Sequence, residues 1–242
     1  APGWAGPTAV EDFGRSDEDG GVDEVTAACF VEAMSGELEA VGFRTEAGFD
    51  GLDVRGTLWG GNLAMVQSLL GTPYWPQAKI VKGGVLFLED VNDHPYRIER
   101  ALLQLHQAGV LASQKAVVLG HICGYKPAAH DRGYTFKTMV SYIRSLTKTP
   151  ILTGLPFGHV PMIVTMPVGA KVTLAPTPLA RSCSRRRSTA GIESGAIATV
   201  TAGVSLSWRT TSAIAAAAAS SPWRSSAAPA MRLAAIIASS AA

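Results

Sequence analysis

Residues 51–178 alternate between two hydrophobic periods. Val85–Leu88 is an unbroken apolar run, the pattern of a strand buried on both faces, and Ala116–Leu119 repeats it. Between them Ile98, Leu102 and Leu105 recur at helical spacing, with Pro95 placed to open a helix and Gly109 to end it. Upstream, Asn62 precedes Leu63, Val66, Leu69 and Leu70, which share one helical face; Gly71 and Pro73 stop that helix. Downstream, Phe136–Leu146 reads as a second helix and Pro150–Thr153 as a third strand. Met162–Met166 and Lys171–Leu174, separated by Pro167-Val168-Gly169, predict a terminal hairpin. Strands alternating with helices predict an α/β sheet with crossover connections.

The flanks differ from this middle. Residues 1–50 begin with a turn, Gly3-Trp4-Ala5-Gly6-Pro7, and an acidic loop, Asp17-Glu18-Asp19-Gly20-Gly21. A helix over Thr26–Ser35, with Thr26 as its N-cap, and a strand around Leu38–Phe43 follow. This is too little to bury a core alone, so a boundary is expected near residue 50. In residues 179–242 Ala and Ser dominate, Arg replaces Lys, and no helical or strand period is sustained. They read as a low-complexity tail outside the fold, expected to be disordered. Loss of the natural reading frame after about Leu174 would yield the same composition.

A length of 242 residues leaves room for one large or two small domains. The net charge of +2 is unevenly spread: residues 181–242 hold seven Arg, no Lys and one Glu, leaving the body mildly acidic. Such a body argues against nucleic acid as a partner. The cysteines, Cys29, Cys123 and Cys183, are odd in number and form no CxxC pair, which suits a reducing, cytoplasmic compartment without a zinc site or disulfide framework. No signal peptide or membrane span is visible; the run Ala213–Ala219 is far too short to cross a bilayer. The first residue is Ala rather than Met, so a processed or truncated chain is expected.

Three segments carry candidate chemistry. Glu89 stands at the carboxyl end of a buried strand, where open α/β sheets place catalytic groups. It could equally cap the next helix or pair with Arg97 or Arg100. Asp90 and Asp93 fit the turn and the helix start. His159 follows Gly158 in a loop bounded by Pro and Gly. It is either an ordinary loop histidine or a base able to activate a hydroxyl, oriented by a carboxylate. Gly60-Gly61-Asn62 is either a tight turn plus cap or a set of backbone donors for a substrate carboxylate or oxyanion. His94, His106, His121 and His130 show no metal-ligand spacing, and no metal or cofactor is expected. A nucleophile is harder to find. No GxSxG elbow occurs, Gly14-Arg15-Ser16-Asp17 reads as a turn, and Ser35 and Ser68 fall within predicted helices.

Together these segments resemble the LD-carboxypeptidase family of serine peptidases. The matching stretches are Trp4-Ala5-Gly6-Pro7, Gly56–Leu63, Leu70-Gly71-Thr72-Pro73, Leu86–Asp90, Pro95–Arg100, Gln104-Leu105, Ala108-Gly109, Gly154–His159 and Pro167-Val168-Gly169. Their order over residues 1–175 makes the resemblance specific. It implies a swivelling β/β/α C-terminal domain over residues 51–178, with Glu89 and His159 as triad members. Residues 1–50 would be a remnant of a flavodoxin-like N-terminal domain. The family serine lies in a Gly-x-Ser-Asp turn ahead of the Gly-Pro segment matched here by Gly6-Pro7, so it should lie upstream of Ala1. The implied activity is release of terminal D-alanine from muropeptide tetrapeptides in peptidoglycan recycling, with this chain inactive for want of its nucleophile. The resemblance also implies a homodimer. Alternatives are a non-catalytic peptide-binding remnant, or a relative giving immunity to peptidyl-nucleotide antibiotics.

Overall fold

The computed structural model describes residues 2–178 and 195–202. Strand β1 (Gly3–Ala5) leads through a turn and a short 3₁₀ segment, Asp17–Asp19, to helix α1 (Glu24–Ser35) and strand β2 (Ala40–Glu46). Then come β3 (Val54–Asn62), α2 (Leu63–Ser68), α3 (Ala78–Val81), β4 (Val85–Val91) and α4 (Pro95–Gln107). β5 (Ala116–Cys123), α5 (Phe136–Leu146), β6 (Ile151–Thr153), β7 (Met166–Val168), β8 (Lys171–Pro178) and β9 (Gly195–Ala202) complete the order. No helix among the described residues is long and apolar enough to cross a membrane.

Seven strands form one mixed sheet in the order β2-β9-β8-β3-β4-β5-β6. Strands β3 to β6 pair in parallel through helical crossovers, as the alternating periods predict for β4 to β6; β3 is not among the expected strands, and Gly60-Gly61-Asn62, expected as a turn, forms its end. β2, β9, β8 and the start of β3 pair antiparallel. The two ends of the sheet approach each other. Arg144 on α5 bonds the Ile151 carbonyl of β6 and ion-pairs with Glu46 of β2, so the sheet is nearly closed.

Strand alternation divides the apolar residues into two layers. Leu86 and Leu88 of β4 pack with Val117 and Leu119 of β5 under α2, α4 and α5, against Ile98, Leu102, Leu105, Met139 and Ile143. Val85 and Phe87 face the other way, toward Cys29, Val41, Phe43, Phe157, Val172 and Val200.

Cys29, Val41 and Phe43 lie in the same core as Phe87 and Val118. Three expectations are corrected. The N-cap of α1 is Asp23, whose carboxylate accepts the Thr26 N–H at 2.8 Å; Thr26 itself lies in the first turn. No hairpin joins the segments around Pro167. Both edges of β8 are taken by β3 and β9, so β7 turns to β1, pairing Trp4 with Pro167. Finally, part of the expected tail belongs to the fold. Gly195–Ala202 lies between β2 and β8, with Ala196, Ala198 and Val200 buried and Ile197, Thr199 and Thr201 more exposed. That is a period of two with β-branched residues, a strand pattern hidden by alanine-rich surroundings. The rest of the tail lies outside the described residues.

Candidate active site

Glu89 reaches the site by simple alternation along β4. It continues the face of Val85 and Phe87, and is itself buried. Asp90 continues the face of Leu86 and Leu88, toward α2. There it accepts the Ala64 N–H at 3.2 Å, together with the Val91 N–H at 2.8 Å, so it serves the start of α2 rather than the site. Burial pushes the Asp90 carboxyl above its usual value, against the lowering effect of these two hydrogen bonds. The helix after β4 is capped by His94, and Arg97 pairs with Asp93 at 3.6 Å, so Glu89 is left for another partner.

That partner is His159. Nδ1 of the imidazole lies 3.4 Å from Glu89 Oε2, with the Glu89 side chain 7% exposed and His159 47% exposed. The distance exceeds that of a formed hydrogen bond, and no group among the described residues donates one to Oε2. Catalytic contacts are often long until substrate is bound. The other carboxylate oxygen, Oε1, accepts from Asn62 Nδ2 at 3.1 Å. Asn62 also caps α2, its Oδ1 accepting the Met65 N–H at 3.1 Å. One side chain thus holds both the helix start and the buried acid.

The loop carrying His159 is fixed at several points. β5 gains an extra residue around Gly120 and His121, and the His121 N–H donates to the Phe157 carbonyl at 2.9 Å. The Phe157 ring packs edge-on against Phe87 at 5.1 Å between centroids. Gly158 has φ +121°, and a Cβ there would come within 3.0 Å of Glu89 Oε2 and 3.1 Å of the His121 carbonyl. Only glycine lets the chain pass this close to the acid. Beyond His159, Thr26 Oγ1 accepts the Ile163 N–H at 2.9 Å and Cys29 Sγ accepts the Thr165 N–H at 3.3 Å, tying the loop to α1.

Gly60, Gly61 and Asn62 run parallel to Phe87, Leu88 and Glu89. At Gly60, φ is +127° and a Cβ would lie 1.9 Å from the Phe87 carbonyl, so the two strands can approach only with glycine. The amides of Ala64 and Met65 at the helix start are engaged by Asp90 and Asn62. The contribution of this segment that the structure displays is therefore the Asn62 side chain on Glu89, which the capping pattern alone did not disclose.

Glu89 and His159 open onto a cleft of about 490 Å³. Phe157, Val160, Pro161 and Ile163 give it apolar lining, and Thr8, Glu11, Asp12 and Arg15 line it as well. Those four come from the turn that the sequence marks only as a loop. Among the described residues no serine lines the cleft, and Ser16 is used locally, capping the 3₁₀ segment through Asp19. Among the described residues, no group of His, Cys, Asp and Glu is placed to hold a metal ion.

A parallel α/β unit that presents a buried carboxylate beside a loop imidazole, at the carboxyl ends of its strands, has the arrangement of a hydrolase base and its orienting acid. Residues 55–174 match the family profile described as the LD-carboxypeptidase C-terminal domain, and through this domain the chain belongs to the LD-carboxypeptidase family. A crystal structure of muramoyltetrapeptide carboxypeptidase from Oxalobacter formigenes is 37% identical with a TM-score of 0.66, covering 83% of this chain and 61% of that one. The murein tetrapeptide carboxypeptidase of Pseudomonas aeruginosa is 34% identical over 108 residues, 44% of this chain and 33% of its own length. The microcin C7 self-immunity protein of Escherichia coli is 29% identical over 122 residues, 50% of this chain and 34% of its own. The chain thus spans about a third of the length of the curated relatives it matches.

Proposed function

We propose that this chain carries the glutamate–histidine part of a serine-type LD-carboxypeptidase that releases terminal D-alanine from muropeptide tetrapeptides in cytoplasmic peptidoglycan recycling. The observation that carries the reading is the contact of the buried, Asn62-held Glu89 with His159 at the cleft. Similarity at 34% and 37% identity to proteins named for murein or muramoyl tetrapeptides supports the substrate class.

In this reaction His159 takes the proton of a serine hydroxyl as its oxygen attacks the amide between the L-centre of diaminopimelate and D-alanine. Glu89 holds the imidazole through Nδ1 and balances the imidazolium charge. The proton then passes from His159 to the leaving amine of D-alanine. Water next attacks the acyl-enzyme ester with His159 again as base, freeing the tripeptide and restoring the serine. Asn62 acts as a positioning residue through Glu89. Gly60 and Gly61 leave the strand end beside it free of side chains, and the peptide is placed along them.

Among the described residues the hydroxyl lining the cleft is that of Thr8, which is hydrogen-bonded to Asp12, so we assign the serine to a flavodoxin-like domain of the family type rather than to this cleft lining. The 242-residue chain alone is accordingly expected to bind tetrapeptide without hydrolysing it. Incubation with free tetrapeptide and quantification of D-alanine tests this. Robust release that Glu89→Ala or His159→Ala abolishes would overturn the inactivity. Calorimetric titration should show saturable heat, and its absence would count against a peptide cleft. The antibiotic-immunity reading rests on the lower identity of 29%; a peptidyl-nucleotide that binds more tightly than tetrapeptide would favour it.

A further inference from the structure

A carboxypeptidase must recognise a free C-terminal carboxylate, and recognition of a carboxylate in a cleft calls for a cation that is not already paired. Arg15 meets that description. It lines the same cleft as His159, is half-buried, and makes no ion pair or hydrogen bond among the described residues. Two carboxylates share its wall without neutralising it. Asp12 is occupied, accepting the Thr8 N–H at 2.6 Å and the Thr8 hydroxyl at 3.2 Å. The side chain of Glu11 forms no ion pair with it.

The turn presenting Arg15 is held in place from both ends. β1 is registered on β7, a few residues beyond the His159 loop, and fixes the entry. The Phe13 N–H donates to the Thr8 carbonyl at 3.1 Å, and the Phe13 ring packs edge-on against Phe30 of α1 at 5.0 Å. The same helix anchors the far end of the His159 loop through Thr26 and Cys29. α1 therefore sets the separation between the guanidinium and the imidazole, and a ligand spanning the cleft meets both.

We infer that Arg15 is a specificity-determining residue that binds the terminal carboxylate of the substrate and so restricts the site to peptides with a free C-terminus. This rests on the carboxypeptidase reading of the Glu89–His159 site. The planar guanidinium offers two parallel N–H donors to a carboxylate, which neither the imidazole nor a backbone amide supplies. A peptide whose C-terminus is an amide loses the charge and one acceptor, and should be rejected.

Titration calorimetry of the full 242-residue chain with tetrapeptide, and with the same peptide as its C-terminal amide, tests this. The acid should bind about tenfold or more tightly than the amide, as expected for hydrogen bonds to a charged group at a partly exposed site. Arg15→Gln should weaken the acid to the level of the amide while leaving the amide unchanged, and Arg15→Lys should restore part of the preference. Equal binding of acid and amide to the unaltered chain, or a preference that survives Arg15→Gln, would overturn the role of Arg15 while leaving the peptide site in place. Absence of binding by either peptide would overturn both. A weakening of acid and amide alike in Arg15→Gln would mark a structural effect and also refute the assignment.

Discussion

Asn62→Asp isolates the contact that holds the buried Glu89. Asn62 caps α2 through Oδ1 and donates to Glu89 through Nδ2, each at 3.1 Å. Aspartate caps a helix about as well as asparagine, so the first contact survives and only the second changes, from donor to acceptor. Two charged oxygens 3.1 Å apart would repel by about 5 kcal/mol at an effective dielectric constant of about 20. The pair escapes that by keeping one proton, which costs about 1.4 kcal/mol for every pH unit above an ordinary value near 4. The loss would reach about 4 kcal/mol at pH 7 and about 1 kcal/mol at pH 5; because Asn62 is half-exposed, solvent screening lowers the first figure to about 2 to 3 kcal/mol. The sign follows from proton binding. The folded variant holds its shared proton more tightly than the unfolded chain does, so its stability is intact below about pH 4 and falls as pH rises. Urea unfolding of the parent, Asn62→Asp and Asn62→Ala between pH 4.5 and pH 8 checks this. Asn62→Asp should converge on the parent at the acid end and diverge steadily above it, whereas Asn62→Ala should show a flatter deficit. Parallel curves for parent and Asn62→Asp would refute the Asn62–Glu89 contact as described.

Two further predictions concern the same neighbourhood. Gly158→Ala should destabilise by about 2 to 4 kcal/mol, from backbone strain at φ +121° plus the clash with Glu89 and the His121 carbonyl. Gly61→Ala has a similar φ of +129° but open space around its Cβ, so it should lose only the strain part; equal losses in urea midpoint would refute the close approach at Gly158. Asp90→Asn should alter the pH profile. Burial raises the Asp90 carboxyl, so the parent loses stability as pH rises through the carboxylate range, and Asn has no proton to lose. The stability of Asp90→Asn relative to the parent should improve from pH 3.5 to pH 6, and a difference that stays constant would contradict the buried setting of Asp90.

How much of this was legible beforehand differs from element to element. The span of α5, Phe136–Leu146, was read without error, because Met139, Val140 and Ile143 mark a single buried face. Pro95 at the start of α4, and the cap by Asn62, followed from local chemistry that operates within one helical turn. Around Pro167 strand-like residues flanking a turn suggest a hairpin, while the partners actually available are set by β1, β3 and β9. β9 is not legible in the sequence because Ala196 and Ala198 carry a strand signal too weak to stand out from an alanine-rich stretch, and their burial depends on the neighbours they meet.

The sequence by itself determined the parallel β/α succession of β4 to β6, the strand-end position of Glu89, the loop position of His159 and their likeness to one peptidase family. Those features depend on periodicity, on turn chemistry and on motif order, all of which are written along the chain. Only the tertiary structure decided that Asn62 bridges helix cap and acid, and that the turn bearing Arg15 lines the same cleft as His159. The reason is physical. These relations join residues 27 and 144 positions apart, and their geometry depends on packing between elements, which no local pattern encodes.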